Sequence, residues 1–194
     1  ILLGTNIWLA RLLSPKDFGQ VGVVMFFVTL ANVFAESGLG GALIRKKEAS
    51  KEDYSTVFIT NLLLSILCVI IIYFTAGLIS DFYNDFSLKN ILIIASSIIL
   101  INAFQITQNA KIVSELKFKK RSIYRLVSVV VGSIVGISCA YFGGGVWSLV
   151  LMSIATSASI TLLFWFSEGV FFSLRFSKKS FKDLYAFGVN TTLA

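Results

Sequence analysis

Histidine is absent from this chain of 194 residues, cysteine occurs twice and proline once. Without imidazole there is no histidine acid/base chemistry, and a Cys/His zinc cluster cannot be assembled. The two thiols, Cys68 and Cys139, lie inside apolar runs and read as small core residues. Charge is also scarce: Asp, Glu, Lys and Arg make up 14% of the chain, against about a quarter in a soluble globular domain. In their place stand 56% hydrophobic residues, 18 Phe and a mean hydropathy of +0.85. This is the composition of a protein whose solvent is largely lipid.

About 20 apolar residues in helical form cross a hydrocarbon core. Val57 to Ser80 and Asn90 to Ala110 are two such runs, both without charge, and Phe18 to Ile44 is interrupted only by Glu36. Leu126 to Ser167 holds 42 chargeless residues, which as one helix would extend roughly 60 Å. It must turn, and Gly143-Gly144-Gly145 is where it can. Ile1 to Leu13 is apolar but too short to cross, and is expected to be the outer half of a first span. No strand alternation suits a barrel, so the expected fold is all-α, a polytopic transmembrane helix bundle. Its spans are placed at 1–13, 18–44, 55–79, 90–110, 124–142 and 146–167, making 1–167 a six-helix lobe. A basic amphipathic connector over 168–187 follows, with Phe181, Leu184 and Gly188 on one face and Tyr185 beside them. Residues 188–194 read as the start of a seventh helix, so the chain looks like an excerpt from a longer protein.

Orientation follows from the basic residues. Of the 17 Lys and Arg, 14 fall in three alternate turns: 45–53, 111–125 and 175–183. Arg11, Lys16 and Lys89 are all that the other turns collect. By the positive-inside rule the basic turns are cytoplasmic. The net charge of +7 is then a topology signal and an affinity for anionic membrane lipids, and no nucleic-acid partner is expected because the charge lines no single groove.

Polar residues inside spans face other helices or a water-filled cavity. Thr29, Asn32 and Glu36 follow helical spacing in the second span, and Asn102, Gln105 and Asn109 repeat it in the fourth, with Gln108 adjacent. Either stripe can hydrogen-bond sugar hydroxyls, or simply join helices. Glu36 lies about 27 Å along its helix from Phe18, near the cytoplasmic end. There it can be hydrated, pair with Arg45 or Lys46, or couple to protons or sodium. Arg11, near the external end, suits a phosphate if it faces the cavity, and snorkels to headgroups if it does not. Gly132 and Gly136 form G-x-x-x-G, and Ser153, Ser157 and Thr161 recur every four residues, both patterns that let helices approach closely. In S-P-K-D-F-G, Ser14 is placed to cap a helix that Pro15 opens and Asp17 completes.

Taken in order, L9-A-R-L-L-S-P-K-D-F-G19, E36-S-G-L-G-G-A-L-I-R45, E52-D-Y-S-T-V-F58, L116-K-F-K-K120 and A140-Y-F-G-G-G-V-W-S-L-V150 form a recognisable series. The chain resembles the bacterial polysaccharide and O-antigen flippases, Wzx-type members of the multidrug/oligosaccharidyl-lipid/polysaccharide exporter superfamily. That resemblance implies a two-lobe transporter of the inner membrane, of which this chain is the first lobe. It moves an undecaprenyl-pyrophosphate-linked oligosaccharide by alternating access, with no cofactor, alongside glycosyltransferases and a polymerase. It also implies a cationic contact to the pyrophosphate, for which Arg11 is the match. Two other readings stay open. A drug/cation antiporter would use Glu36 as its coupling carboxylate, and a membrane-embedded glycosyl or phosphoryl transferase would need the external pair Asp81 and Asp85. Membrane-impermeant amine reagents applied to intact cells should leave the lysines of the 111–125 turn unlabelled; labelling there would invert the topology.

Overall fold

The computed structural model describes residues 2–36, 38–46, 48–169 and 175–192, and it is helical throughout its regular structure. In order, the helices are α1 (Leu2–Leu12), α2 (Pro15–Glu36), α3 (Leu39–Arg45), α4 (Lys51–Phe82), α5 (Ser87–Ala95), α6 (Ser97–Ser114), α7 (Phe118–Tyr141), α8 (Val146–Glu168) and α9 (Lys178–Thr192). Among the described residues, five segments are long and apolar enough to cross a membrane: α2, α4, α5 with α6, α7 and α8. The protein is a polytopic all-α membrane bundle.

The expected second span over 18–44 is corrected: α2 ends at Glu36, and the chain restarts as α3 behind Gly38. Gly38 holds φ 68°, a left-handed value that side chains disfavour, so the glycines there break the helix outright. Connector and seventh segment also differ from expectation, since α9 runs unbroken through Gly188; residues 170–174 and 193–194 lie outside the described residues. Leu184 of α9 is buried with Leu39, Ala42 and Leu43 of α3 and with Tyr54 and Phe58 of α4, and Phe181 packs alongside. This helix therefore sits on α3 and α4, whose apolar residues it covers.

α7 and α8 approach most closely at Gly132 and Gly136. A Cβ on Gly132 would lie 1.9 Å from Thr156 Oγ1 and 2.8 Å from the Met152 carbonyl oxygen, and one on Gly136 would lie 2.9 Å from Met152 Cβ. The G-x-x-x-G reading holds. Its partners on α8 are Ser148, Met152 and Thr156, whereas Ser153 and Thr161 turn their hydroxyls to carbonyls of their own helix, Leu149 and Ser157 respectively. Thr161 Oγ1 also reaches the Ile101 carbonyl at 3.3 Å, and Trp165 Nε1 donates to the Phe104 carbonyl at 2.8 Å, fastening α8 to α6.

Polar ties at the two ends are segregated as the alternating turns require. At the end opposite the basic turns, Ser14 and Asp17 form the expected box: Ser14 N–H donates to Asp17 Oδ2 at 2.9 Å, and Asp17 N–H to Ser14 Oγ at 3.3 Å. The Val146 N–H reaches the same Asp17 carboxylate across the glycine turn. Gly145 there has φ 52°, and a Cβ would lie 3.3 Å from Asp17 Oδ1. One turn on, Gln20 Nε2 donates to Asp85 Oδ2 at 2.6 Å and to Ser87 Oγ at 2.8 Å, with Lys16 Nζ 3.7 Å from Asp85. The lone proline thus opens a helix whose first turns gather three external turns. At the basic end, Ser50 and Asp53 form a second box at the start of α4, Lys46 Nζ pairs with Asp53 at 2.7 Å, and the Arg175 and Ser177 N–H groups donate to Ser55 and Thr56.

Gly132→Ala should lower thermal stability by about 1–3 kcal/mol because a backbone carbonyl blocks relaxation. Gly77→Ala, with nothing within 4 Å of the added Cβ, should be neutral or gain up to about 1 kcal/mol. The external tie predicts a pH response as well. Hydrogen bonds from Ser87, then Gln20, lower the Asp85 carboxyl from 3.8 to about 2. Because the folded-state value is depressed, its stabilisation is complete above 3.8 and is lost as pH falls through about 2. Amide exchange at Ser87 should accelerate over that interval, and Asp85→Asn should abolish the response.

Candidate functional site: a basic polar cavity

A cavity of about 440 Å³ opens between four helices. Glu36 comes from the end of α2; Gln105, Ile106 and Asn109 from α6; Arg121, Arg125 and Ser128 from α7; Thr156, Ser157 and Phe164 from α8. A smaller space of about 200 Å³ shares Glu36, Ile106 and Asn109 and extends to Gly38, Gly40 and Gly41 of the α2–α3 break. Helical geometry explains the α7 wall: Arg121, Arg125 and Ser128 are spaced i, i+4, i+7, and the same stripe continues into Gly132 and Gly136. The stripe of α7 that packs its glycines against α8 therefore also carries the two arginines that line the cavity.

The expected site residues separate into three groups. Glu36, Gln105 and Asn109 line the cavity. Asn32 and Asn102 join helices: Asn102 Nδ2 donates to Asn32 Oδ1 at 3.1 Å, and Asn32 Nδ2 donates to the Val28 carbonyl at 3.0 Å. Gln105 Nε2 donates to Asn102 Oδ1 at 2.9 Å, so the amide chain runs from the α2–α6 contact to the cavity wall. Thr29 and Arg11 are exposed and are not among the residues lining either cavity. Arg11 stands in the last turn of α1. Neither Lys46 nor Arg45 pairs with Glu36; among the described residues Lys46 is taken by Asp53. Gln108, adjacent to the fourth-span stripe, is fully buried and accepts from Thr107 Oγ1 at 2.8 Å.

Sequence reading missed Arg121 and Arg125, which were counted only as charges of a cytoplasmic turn. The signal that could have found them is their register with the glycine pair. Two guanidiniums against one carboxylate give the cavity wall a positive balance, and the amides and hydroxyls around them offer neutral donors and acceptors. Such a wall can hold a phosphate by forked hydrogen bonds and a polyhydroxylated group by neutral ones. Among the described residues there is no cluster of His, Cys, Asp and Glu suited to a metal ion.

Fold and cavity together define a polytopic membrane helix bundle with a basic, hydroxyl- and amide-lined space near one end. The chain belongs to the polysaccharide biosynthesis protein family, whose sequence profile matches residues 8–194. The resemblance read from five motifs is borne out at that level. It is 26% identical over 154 residues to the succinoglycan biosynthesis transport protein ExoT of Rhizobium meliloti, a match covering 79% of this chain and 31% of that one. It is also 25% identical over 156 residues to the lipopolysaccharide biosynthesis protein WzxC of Escherichia coli, covering 80% of this chain and 32% of the relative. The chain thus spans about a third of the length of these curated relatives. No solved structure matches.

Proposed function

We propose that the chain supplies part of the cavity wall of a transporter for polysaccharide precursors, one that moves an undecaprenyl-pyrophosphate-linked oligosaccharide across the bacterial inner membrane without covalent chemistry. The carrying observation is the pairing of Arg121 and Arg125 with a wall of amides and hydroxyls in one cavity. In this reading the guanidiniums hold the pyrophosphate, while Gln105, Asn109, Ser128, Thr156 and Ser157 exchange hydrogen bonds with the glycan's hydroxyls. The names of the relatives, a succinoglycan transport protein and a lipopolysaccharide biosynthesis protein, support the polysaccharide assignment. Glycosyltransferases would supply the repeat unit and a polymerase would consume it.

A transferase would need free carboxylates at one surface. Asp85 is engaged by Gln20, Ser87 and Lys16, which favours a structural role for it. Antiport of a small cation keeps one supporting observation: Glu36 lines both cavities and has no ion pair among the described residues. Proton or sodium coupling of the exporter itself would use the same carboxylate. Arg11 remains a second phosphate candidate at the far end of the bundle.

Arg125→Gln and Arg121→Gln, made in the full-length parent, should each reduce glycan export by about tenfold or more, the loss of a charge-assisted contact. Complementation of an export-deficient strain, with membrane insertion checked in parallel, reads the result. Full export by the double variant would remove the arginines from the transport path. A loss in Arg11→Ala alone would move the phosphate contact to the external end.

A further inference from the structure

A second concentration of charge lies at the basic end, outside the cavity. Glu168 closes α8, and its side chain is only 3% exposed. Lys120 Nζ lies 2.7 Å from Oε1, Lys111 Nζ 3.1 Å from Oε2 and Lys117 Nζ 3.9 Å from Oε2. These lysines come from α7, from α6 and from the turn between them, so one carboxylate fastens three segments. A buried carboxylate requires a partner, but one lysine would satisfy its charge. Glu115 pairs with Lys117, which still leaves three cations facing two anions. Among the described side chains, positive charge is in excess here.

The excess can be reached from outside. The Lys117 and Lys120 side chains are 44% and 35% exposed. Flanking Lys117 in sequence, Leu116 is 73% exposed and Phe118 50% exposed. An anionic head against the lysines and a hydrocarbon tail against these two side chains is the chemistry of a lipid, which a free phosphate ion satisfies only by half. We propose that Lys111, Lys117 and Lys120, with Glu168 as their standing counter-anion, form a binding site for the phosphate headgroup of an anionic phospholipid, whose acyl chains lie against Leu116 and Phe118. The occupied site would brace the α6–α7 turn against α8, beside the helical turn that carries Arg121. It depends on the lysine cluster alone and stands whether or not the cavity carries a glycan.

Native mass spectrometry of the full-length protein, released from nanodiscs of mixed phosphatidylcholine and phosphatidylglycerol, counts the retained lipid. Preferential retention of phosphatidylglycerol is expected, falling about fivefold for each lysine removed and about 30-fold for Lys117→Gln with Lys120→Gln. Lys119→Gln, an exposed neighbour outside the cluster, should change nothing. Leu116→Ser should lower lipid retention while leaving the competing effect of inorganic phosphate intact. If the double variant does not fold, Lys117→Gln alone, at an exposed position, reads the single step. Equal phosphatidylglycerol retention by wild type and the lysine variants would overturn the site. So would an equal loss in Lys119→Gln, which would reveal only general attraction to the basic surface. Full displacement by inorganic phosphate, with no effect of Leu116→Ser, would overturn the lipid assignment in favour of a free anion.

Discussion

Much of the structure depends on how closely α7 can approach α8. In lipid there is little hydrophobic drive between helices, so association rests on packing and interhelical hydrogen bonds. Gly132 and Gly136 provide the packing: bare backbone on α7 meets the Met152 and Ser148 carbonyls and the Thr156 side chain on α8. The same helical face carries Arg125 and Arg121 toward the basic end, so the residues that join the two helices and those that line the cavity share one stripe of α7. The cavity wall is a consequence of the packing seam and continues it.

A second constraint is the cost of an unpaired polar group in lipid, which several side chains here meet by pairing inside the bundle or at its ends. Within the bundle the amides of Asn32, Asn102 and Gln105 bond to one another across α2 and α6. At the ends, carboxylates do the fastening: Asp17 and Asp85 at one, Asp53 and Glu168 at the other. Their partners differ in a way that follows from topology. Hydroxyls, amides and backbone N–H groups dominate around Asp17 and Asp85, whereas at the basic end Lys46 joins the Ser50 donors on Asp53 and three lysines surround Glu168. The basic turns that set the orientation of the chain therefore also supply the cations that close its basic end.

Legibility in the sequence tracked how local each determinant was. The apolar spans apart from the break at Gly38, the glycine turn, the Ser14–Asp17 box and the G-x-x-x-G seam depend on neighbours within a few residues, and each could be placed from the sequence. Site residues were legible where a stripe of polar groups interrupted an apolar run, as at Glu36, Gln105 and Asn109. Arg121 and Arg125 were not, because a basic residue close to a basic turn looks like a topology signal; which way it points depends on α8, distant in sequence. The lysine cluster was hidden for a similar reason. Glu168 is an unremarkable helix-terminal residue until Lys111, Lys117 and Lys120 are brought to it from another hairpin.

The break at Gly38 shows how a departure from regular structure makes room for function. A helix continuing from Pro15 through Ile44 would fill the space beneath α6 with its own side chains. Instead α2 stops at Glu36, and α3 seats Leu39, Ala42 and Leu43 against α4 and α9, leaving Gly38, Gly40 and Gly41 to line the smaller cavity. Glu36 is thereby the last residue of its helix, facing both spaces, and the helix end leaves its carboxylate without a fixed ionic partner among the described residues. On the opposite wall stand Arg121 and Arg125 of α7, so the cavity sets two cations against one carboxylate beside a backbone break.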